Sequence, residues 1–412
     1  MNYVLQLIIS QSKSCEEADF LPTIFGEFRH EAVMGAVPVV LFGAGSAGKE
    51  LYPILQWHGV NPVCFCDSNP LREGELYCGL PIISLADLRQ KHTNSLIVVT
   101  SGAYGDQIKQ QLVDAGFNAE RVLIISNSEA ICYYTHLAQW HWSDEDLLAH
   151  ADDLQKVYSL LADDKSRDIF VTRIALFVRG ADFQSYRDFI SKLSDARNVQ
   201  GMNDSEAYLQ FNNDLIRLAD DELFVDGGAF TGDSTLEFIK AVKKQQATYC
   251  KIICFEPDTR IFAELQRSTT QINNILLRPF GLWSHATTLS FADSNILKPG
   301  STRIVSENDS NEDLSDKRSE VLKIPTTCID EELPSAQVTL IKMDIEGAEI
   351  EALNGARKTI ARCNPRLIIS AYHRRNDLFE IPLLIHEMMP TCKLYFRHFS
   401  NNFGETTLFA IP

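Results

Sequence analysis

Short apolar runs alternate with amphipathic stretches in two separate blocks of the chain. In the first block, "VPVVLFGAGSAGKELYPIL" (37–55) reads as a strand, a glycine turn and a helix. "NPVCFCDSN" (61–69) is a second strand that ends at Asp67, and "SLIVVTSG" and "RVLIIS" are two more, with a helical pattern from Gln107 to Ala115 between them. Strands that alternate with helices predict a parallel sheet in an α/β domain, placed at 36–128. Residues 1–35 are mixed and predicted to be helical.

Residues 129–220 carry no strand pattern. Leu147, Ala151, Leu154, Tyr158 and Leu161 recur at helical spacing, as do Phe170, Ile174, Phe177 and Val178 further on. A helical connector is expected there. Strands return from Leu223 as "LFVDGG", "KIICFEP", "NILLRPFGLW", "VTLIKMDIE", "PRLIISAYHR", "KLYFRHF" and "TTLFAIP". The last two are separated only by "SNNFGE", so they form an antiparallel pair at the end of a mostly parallel sheet. The polar segment between Ser294 and Glu320 reads as a loop or lid. The expected organisation is α/β, with two Rossmann-type domains: an N-terminal helical segment (1–35), a first domain (36–128), the connector (129–220) and a second domain (221–412).

The 412 residues carry a formal charge of −17, with 45% hydrophobic and 23% charged positions. Such composition suits a soluble, cytoplasmic globular protein. It argues against an extended nucleic-acid interface, which needs basic patches to replace counterions. No apolar run reaches the ~20 residues of a membrane span. The opening "MNYVLQLIIS" lacks the basic flank and cleavage site of a signal peptide. Ten cysteines are scattered without metal-ligand spacing. They read as reduced, mostly buried thiols with no metal site. A homo-oligomer is compatible with this composition, which sets no oligomeric state.

The first glycine turn, "GAGSAG", places Gly43, Gly45 and Gly48 as G-x-G-x-x-G between strand and helix, with Asp67 at the end of the next strand. That arrangement suits a nucleotide or nucleotide-sugar: glycines for the turn and close approach, the helix N-terminus for an anion, the acid for a ribose. The segment resembles the small Rossmann-like domains that open some polysaccharide-biosynthesis proteins, through "CGLPIISLADL". A nicotinamide-dependent oxidoreductase using this half is the rival reading, although no tyrosine–lysine pair stands ready for hydride chemistry.

The second turn lies in "ELFVDGGAFTGDSTLEF" (222–238). Asp226 closes a strand, Gly228 and Gly232 flank "AFT", and the next strand ends in Glu256. A carboxylate there can accept hydrogen bonds from both ribose hydroxyls. Asp226, Phe230, Asp233, Glu256 and Asp258 give the pocket an acidic, partly aromatic lip. That lip suits a sulfonium cation better than a pyrophosphate.

In "LIKMDIEGAE", strand alternation turns Lys342, Asp344 and Glu346 one way and Met343 and Ile345 the other. Ligands gather at the carboxyl ends of parallel strands. Chemistry on a hydroxyl held there needs the oxygen fixed in position and a base for its proton. Asp344 is the first candidate, Glu346 the second and His373, after the next strand, the third. Lys342 has a structural alternative as the neutralising partner of Asp344.

Taken in order, "FVDGGAFTGDST", "CFEPD", "IPTTCIDEEL", "IKMDIEGAEIEALNGA" and "PRLIISAYHR" resemble the FkbM family of S-adenosylmethionine-dependent methyltransferases over about 222–411. "LADDKSRDIF" and "EAYLQFNNDL" resemble the helical lead-in of its longer members. The resemblance implies a class I methyltransferase fold and O-methylation of a sugar or polyketide hydroxyl; a carbohydrate or sugar-linked acceptor is the expectation here. It implies that Asp226, Gly228 and Gly232 shape the methionine end of the cofactor site. By the same likeness Glu256 holds the ribose, and Pro257 and Asp258 lie near the adenine. Family members usually vary where Gly227 stands and often have Asn in place of Phe230.

Overall fold

The computed structural model describes residues 2–12, 24–101, 104–125, 142–178, 183–195, 206–293, 302–304, 321–400 and 404–412. The chain divides into two compact units. One comprises Ile9–Asp146 with Ile174–Asp188; the other comprises Met1–Ile8, Leu147–Arg173 and Phe189–Pro412. The helical stretch between the two strand blocks is thus shared by both units.

The first unit is built on β1 (Val39–Phe42), β2 (Cys64–Cys66), β3 (Leu76–Tyr77), β4 (Leu80–Ile83), β5 (Leu96–Val99) and β6 (Val122–Ile124). They lie in the order β3-β4-β2-β1-β5-β6, parallel except for the β3–β4 hairpin. Val40, Phe42, Cys64, Cys66, Ile97 and Val99 pack on Leu88 and Leu112 from the flanking helices. The "CGLPIISLADL" stretch supplies β4 and the helix Leu85–Lys91, capped by Ser84 Oγ accepting from Asp87 N at 3.3 Å. The two-residue β3 is too short for periodicity to reveal.

The second unit contains β7 (Glu222–Gly227), β8 (Tyr249–Phe255), β9 (Ile275–Arg278), β10 (Gly281–Leu282), β11 (Thr287–Asp293), β12 (Thr302–Ile304), β13 (Val321–Thr327), β14 (Leu340–Met343), β15 (Arg366–Ser370), β16 (Lys393–His398) and β17 (Thr406–Ile411). Seven of them form one sheet in the order β16-β17-β15-β14-β7-β8-β9. β17 inserts between β15 and β16, antiparallel to both, as the short "SNNFGE" connection requires. In register, Gly227 lies opposite both Phe255 and Met343, and Met343 opposite Ile369. The carboxyl ends of four strands therefore finish level, and their loops converge.

Three expectations need adjustment. "NILLRPFGLW" is not one strand. Pro279 has no N–H for the ladder, and the run breaks into β9 and β10. β10 to β13 make a second, four-stranded sheet in the order β10-β13-β11-β12. Within 294–320, Thr302–Ile304 pairs with β11 as a strand; the rest of the expected lid lies outside the described residues. Among the cysteines, Cys64, Cys66 and Cys254 are buried, but Cys250 is exposed at the projecting start of β8.

The helical lead-in covers the open edge of the large sheet. Ala162 N donates to Leu394 O at 2.9 Å, and Arg397 pairs with Asp163 at 2.8 Å. An edge strand left bare would template aggregation. Under the sheet, Phe224 and Phe238 stack at 4.5 Å, with Phe211 edge-on to both. Truncating Phe238 to alanine should destabilise this unit by about 3–5 kcal/mol. A urea midpoint that shifts by less than the equivalent of ~1 kcal/mol would contradict its central place in the core.

Candidate functional site

The loop after β7 is fixed before it meets any ligand. Asp226 is fully buried and accepts from Ser234 Oγ at 2.6 Å and Thr235 Oγ1 at 2.8 Å, in the first turn of the helix Asp233–Gln245. Lys342, from the neighbouring β14, places Nζ 3.6 Å from Asp226 and donates to Gly228 O at 3.1 Å. Gly228 sits at φ 71°, and a Cβ there would lie 1.9 Å from Asp344 O. No other residue fits. Phe230 (φ 46°) and Glu346 (φ 56°) are held in the left-handed region that non-glycine residues avoid. Both line the same cavity.

That cavity has a volume of 510 Å³, within the range of small-molecule sites. Glu256 forms one wall. Its Oε2 accepts from Phe230 N at 3.1 Å and its Oε1 from Asp258 N at 2.8 Å. Burial pushes Glu256 up to about 7, against the lowering effect of those two bonds. Asp258 caps the helix Thr259–Ser268, accepting from Arg260 N and Ile261 N. Burial works to raise it, but Arg260 and these bonds hold it below the usual range. Burial raises Asp233 as well. Phe280, Trp283 and Ile324 add apolar surface from β10, β13 and the residues beside them.

Opposite Glu256 the loop after β14 presents Asp344 and Glu346. Tyr372 OH donates to Asp344 Oδ1 at 3.1 Å, and His373 Nε2 lies 3.3 Å from the same oxygen. Burial would raise Asp344, yet Lys342 and His373, with Tyr372, outweigh it and hold it low. Glu346 keeps 49% of its side chain exposed, and the partial desolvation of the cavity wall, with Asp344 and Glu349 adding to it and His373 opposing, raises it. His373 Nδ1 lies 2.9 Å from Glu349 Oε1, which also accepts from Ile345 N at 2.9 Å. Burial disfavours a charged imidazole, but Glu349, Asp344 and Glu346 prevail and push His373 up to about 10. Asp344, Glu349 and His373 bring ligand-type atoms within 4.8 Å of one another. The imidazole between the two carboxylates already supplies positive charge there.

Most of the residues singled out from sequence therefore meet around one cavity: Gly228, Phe230, Glu256, Pro257, Asp258, Lys342, Asp344 and Glu346. Asp226, Gly232 and His373 stand behind it. The alternation that set Ile345 apart from its neighbours fails, because β14 stops at Met343 and Ile345 also lines the cavity. Lys342 places its ammonium against Asp226 and Gly228 O, and its charge also lowers Asp344. Sequence reasoning missed Tyr372, Trp283 and the structural weight of Glu349. Tyr372 immediately precedes His373 at the end of β15, a position at which ligand-facing residues are expected. Nothing in the pattern marks Trp283.

In the first unit, Gly43 and Gly48 make close packing contacts, while the position of Gly45 has open space. A Cβ on Gly48 would lie 2.4 Å from Gly43 O, and Gly43 (φ 113°) abuts Thr100. Asp67 accepts from Ala44 N at 2.9 Å and Asn69 N at 2.9 Å. The loop's own carbonyls are covered: Arg72 donates to Ala44 O, and Tyr77 OH to Gly45 O at 3.1 Å. No likeness to known proteins supports the nucleotide-sugar or oxidoreductase readings of Gly43, Gly45, Gly48 and Asp67.

A mostly parallel sheet with one reversed strand, a glycine turn after its first strand and a carboxylate at the end of its second define a Rossmann-like methyltransferase fold. Residues 226–393 match the family model described as Methyltransferase FkbM domain. This part of the chain is an FkbM methyltransferase domain, an assignment that implies S-adenosylmethionine-dependent methyl transfer. A crystal structure of methyltransferase FkbM from Methylobacillus flagellatus is similar over 99% of this chain and 99% of its own, at 21% identity and a TM-score of 0.58. Fibrillarin from Aeropyrum pernix, solved with natively bound S-adenosyl-L-methionine, matches at 9% identity over 50% of this chain and 73% of its own, TM-score 0.31. An rRNA methylase from Streptococcus thermophilus matches at 13% identity over 52% and 95%, TM-score 0.28. No curated protein matches the chain. Among the described residues no helix is long and apolar enough to cross a membrane.

The raised carboxyl of Glu256 gives a testable pH dependence. Glu256 rises from an ordinary 4.5 to about 7 on folding, so the stability it contributes is complete below pH 4.5 and is lost as pH rises through about 7. The thermal midpoint of the ligand-free protein should fall between pH 5 and 7.5. Glu256→Gln should flatten part of that slope; an unchanged slope in the variant would contradict the assignment.

Proposed function

We propose that this chain methylates a hydroxyl of a carbohydrate or sugar-linked acceptor, using S-adenosylmethionine. The observation that carries the reading is the buried carboxylate of Glu256, pinned by backbone N–H groups of both flanking loops beside an acidic 510 Å³ cavity. The residues fit the donor. The close approach that only Gly228 permits makes a backbone cradle, and each Glu256 oxygen receives one backbone N–H while retaining a lone pair for a ribose hydroxyl. S-adenosylmethionine, when bound, supplies an electrophilic methyl group on a sulfonium.

The role of each residue follows from its surroundings. Glu256 takes the ribose hydroxyls, and Pro257 and Asp258 flank the base. Asp226 and Lys342 do not touch the donor; they hold Gly228 and the following turn in place. Asp344, kept ionised, faces the positive end of the donor. Glu346 stands to take the proton of the acceptor hydroxyl, to which the donor, when bound, would supply its methyl group. A carboxyl raised above its ordinary range is suited to that step at neutral pH. Phe280, Trp283 and Tyr372 offer flat surfaces, and the carboxylates offer acceptors, for a polyhydroxylated ring.

Calorimetry on the full chain should register S-adenosylmethionine and S-adenosylhomocysteine but not NAD. Glu256→Ala should weaken both by tenfold or more. Labelled methyl should pass from S-adenosylmethionine to members of a glycan panel, and Glu346→Gln should cut that rate by about 10²-fold or more with little effect on donor affinity. Affinity for NAD alone would overturn the reading.

A further inference from the structure

Neither Glu349 nor His373 lines the cavity, yet both are buried directly behind Asp344, at 1% and 8% side-chain exposure. His373 is flanked on both ring nitrogens by carboxylate oxygens: Nδ1 by Glu349 Oε1 at 2.9 Å, and Nε2 by Asp344 Oδ1 at 3.3 Å, with Glu346 Oε2 at 3.7 Å. Carboxylate oxygens beside both ring nitrogens favour the doubly protonated, cationic ring. Glu349 cannot swing away, because its Oε1 also closes the loop onto Ile345 N.

The sum of charge in this group decides what the cavity sees. Asp344 and His373 alone would cancel, leaving a neutral pair beside the donor. Glu349 supplies the second negative charge, so the three together carry one net negative charge. We propose that Glu349 is a positioning residue that neutralises His373 and thereby leaves Asp344 free to act as counter-ion to the sulfonium. Lys342 lies between buried Asp226 and Asp344 and is the same in every variant compared below, so the differences in charge among them come from this group. The inference rests on the reading of the cavity as an S-adenosylmethionine site.

The test uses two ligands that differ chiefly in charge at sulfur: cationic S-adenosylmethionine and neutral S-adenosylhomocysteine. Both are titrated into the full chain by calorimetry at pH 8. Glu349→Gln keeps the amide oxygen for Ile345 N but removes one negative charge from the group, while Glu346, 3.7 Å from His373, is the same in every variant. It should weaken S-adenosylmethionine about tenfold while S-adenosylhomocysteine shifts less than threefold. Asp344→Asn should do the same. The double variant Glu349→Gln/His373→Gln restores one net negative charge and should recover S-adenosylmethionine affinity to within threefold of wild type.

A purely structural role would make the double variant as poor as Glu349→Gln on both ligands, and that result would overturn the proposal. So would stoichiometric binding of Mg²⁺ or Mn²⁺ to the ligand-free protein that is lost in His373→Gln, since a metal would then occupy the place assigned to the imidazolium. If wild type binds neither ligand, the donor assignment itself fails; if it binds both and the charge order is not obeyed, only the role of Glu349 fails. S-adenosylhomocysteine binding also reports whether each variant is folded.

Discussion

Lys342 reaches from β14 to the buried Asp226 of β7 and to the carbonyl of Gly228. A buried ion pair gains little net stability unless its remaining hydrogen-bond capacity is met. Here Ser234 and Thr235 meet much of it for Asp226. What the pair secures is geometry. It ties the glycine turn to the helix that follows and to the adjacent strand, so that Gly228 rests against Asp344 and the turn faces Glu256. The loops after β7, β8 and β14 depend on that join to enclose one cavity.

The two glycine turns of the chain show how little a motif decides alone. Both follow a strand and open a helix, and in both an acid from the next strand accepts a loop N–H: Asp67 from Ala44, Glu256 from Phe230. In the first, Arg72 and Tyr77 close over the loop's carbonyls. In the second, the neighbouring loops stand back and leave room for a ligand. The difference lies in residues remote from the motif, which spacing does not reveal.

Much of the fold was legible because buried parallel strands are written as short apolar runs, and because "SNNFGE" is too short for anything but a hairpin. The small sheet of β10 to β13 was not, since its strands are brief, interrupted by Pro279 and partly polar. One wall of the cavity was legible from Gly228 and Glu256, whose positions at strand ends bring them together. The acid cluster was read only in outline. Alternation along β14 placed Asp344 correctly but could not follow the chain past Met343, where the backbone turns left-handed at Glu346 and Gly347. Glu349 looked like an ordinary first-turn carboxylate of a helix, and only the proximity of His373 gives it a charge to balance.

The central claim is that the crevice between Gly228, Glu256 and Asp344 holds an adenosyl group with its sulfur toward the acid cluster. A crystal structure of the protein soaked with S-adenosylhomocysteine tests it most directly. The account requires density with both ribose hydroxyls on Glu256 and the sulfur on the Asp344 side. Density at that crevice from NAD instead, or the thioether found with its ribose away from Glu256, would contradict it.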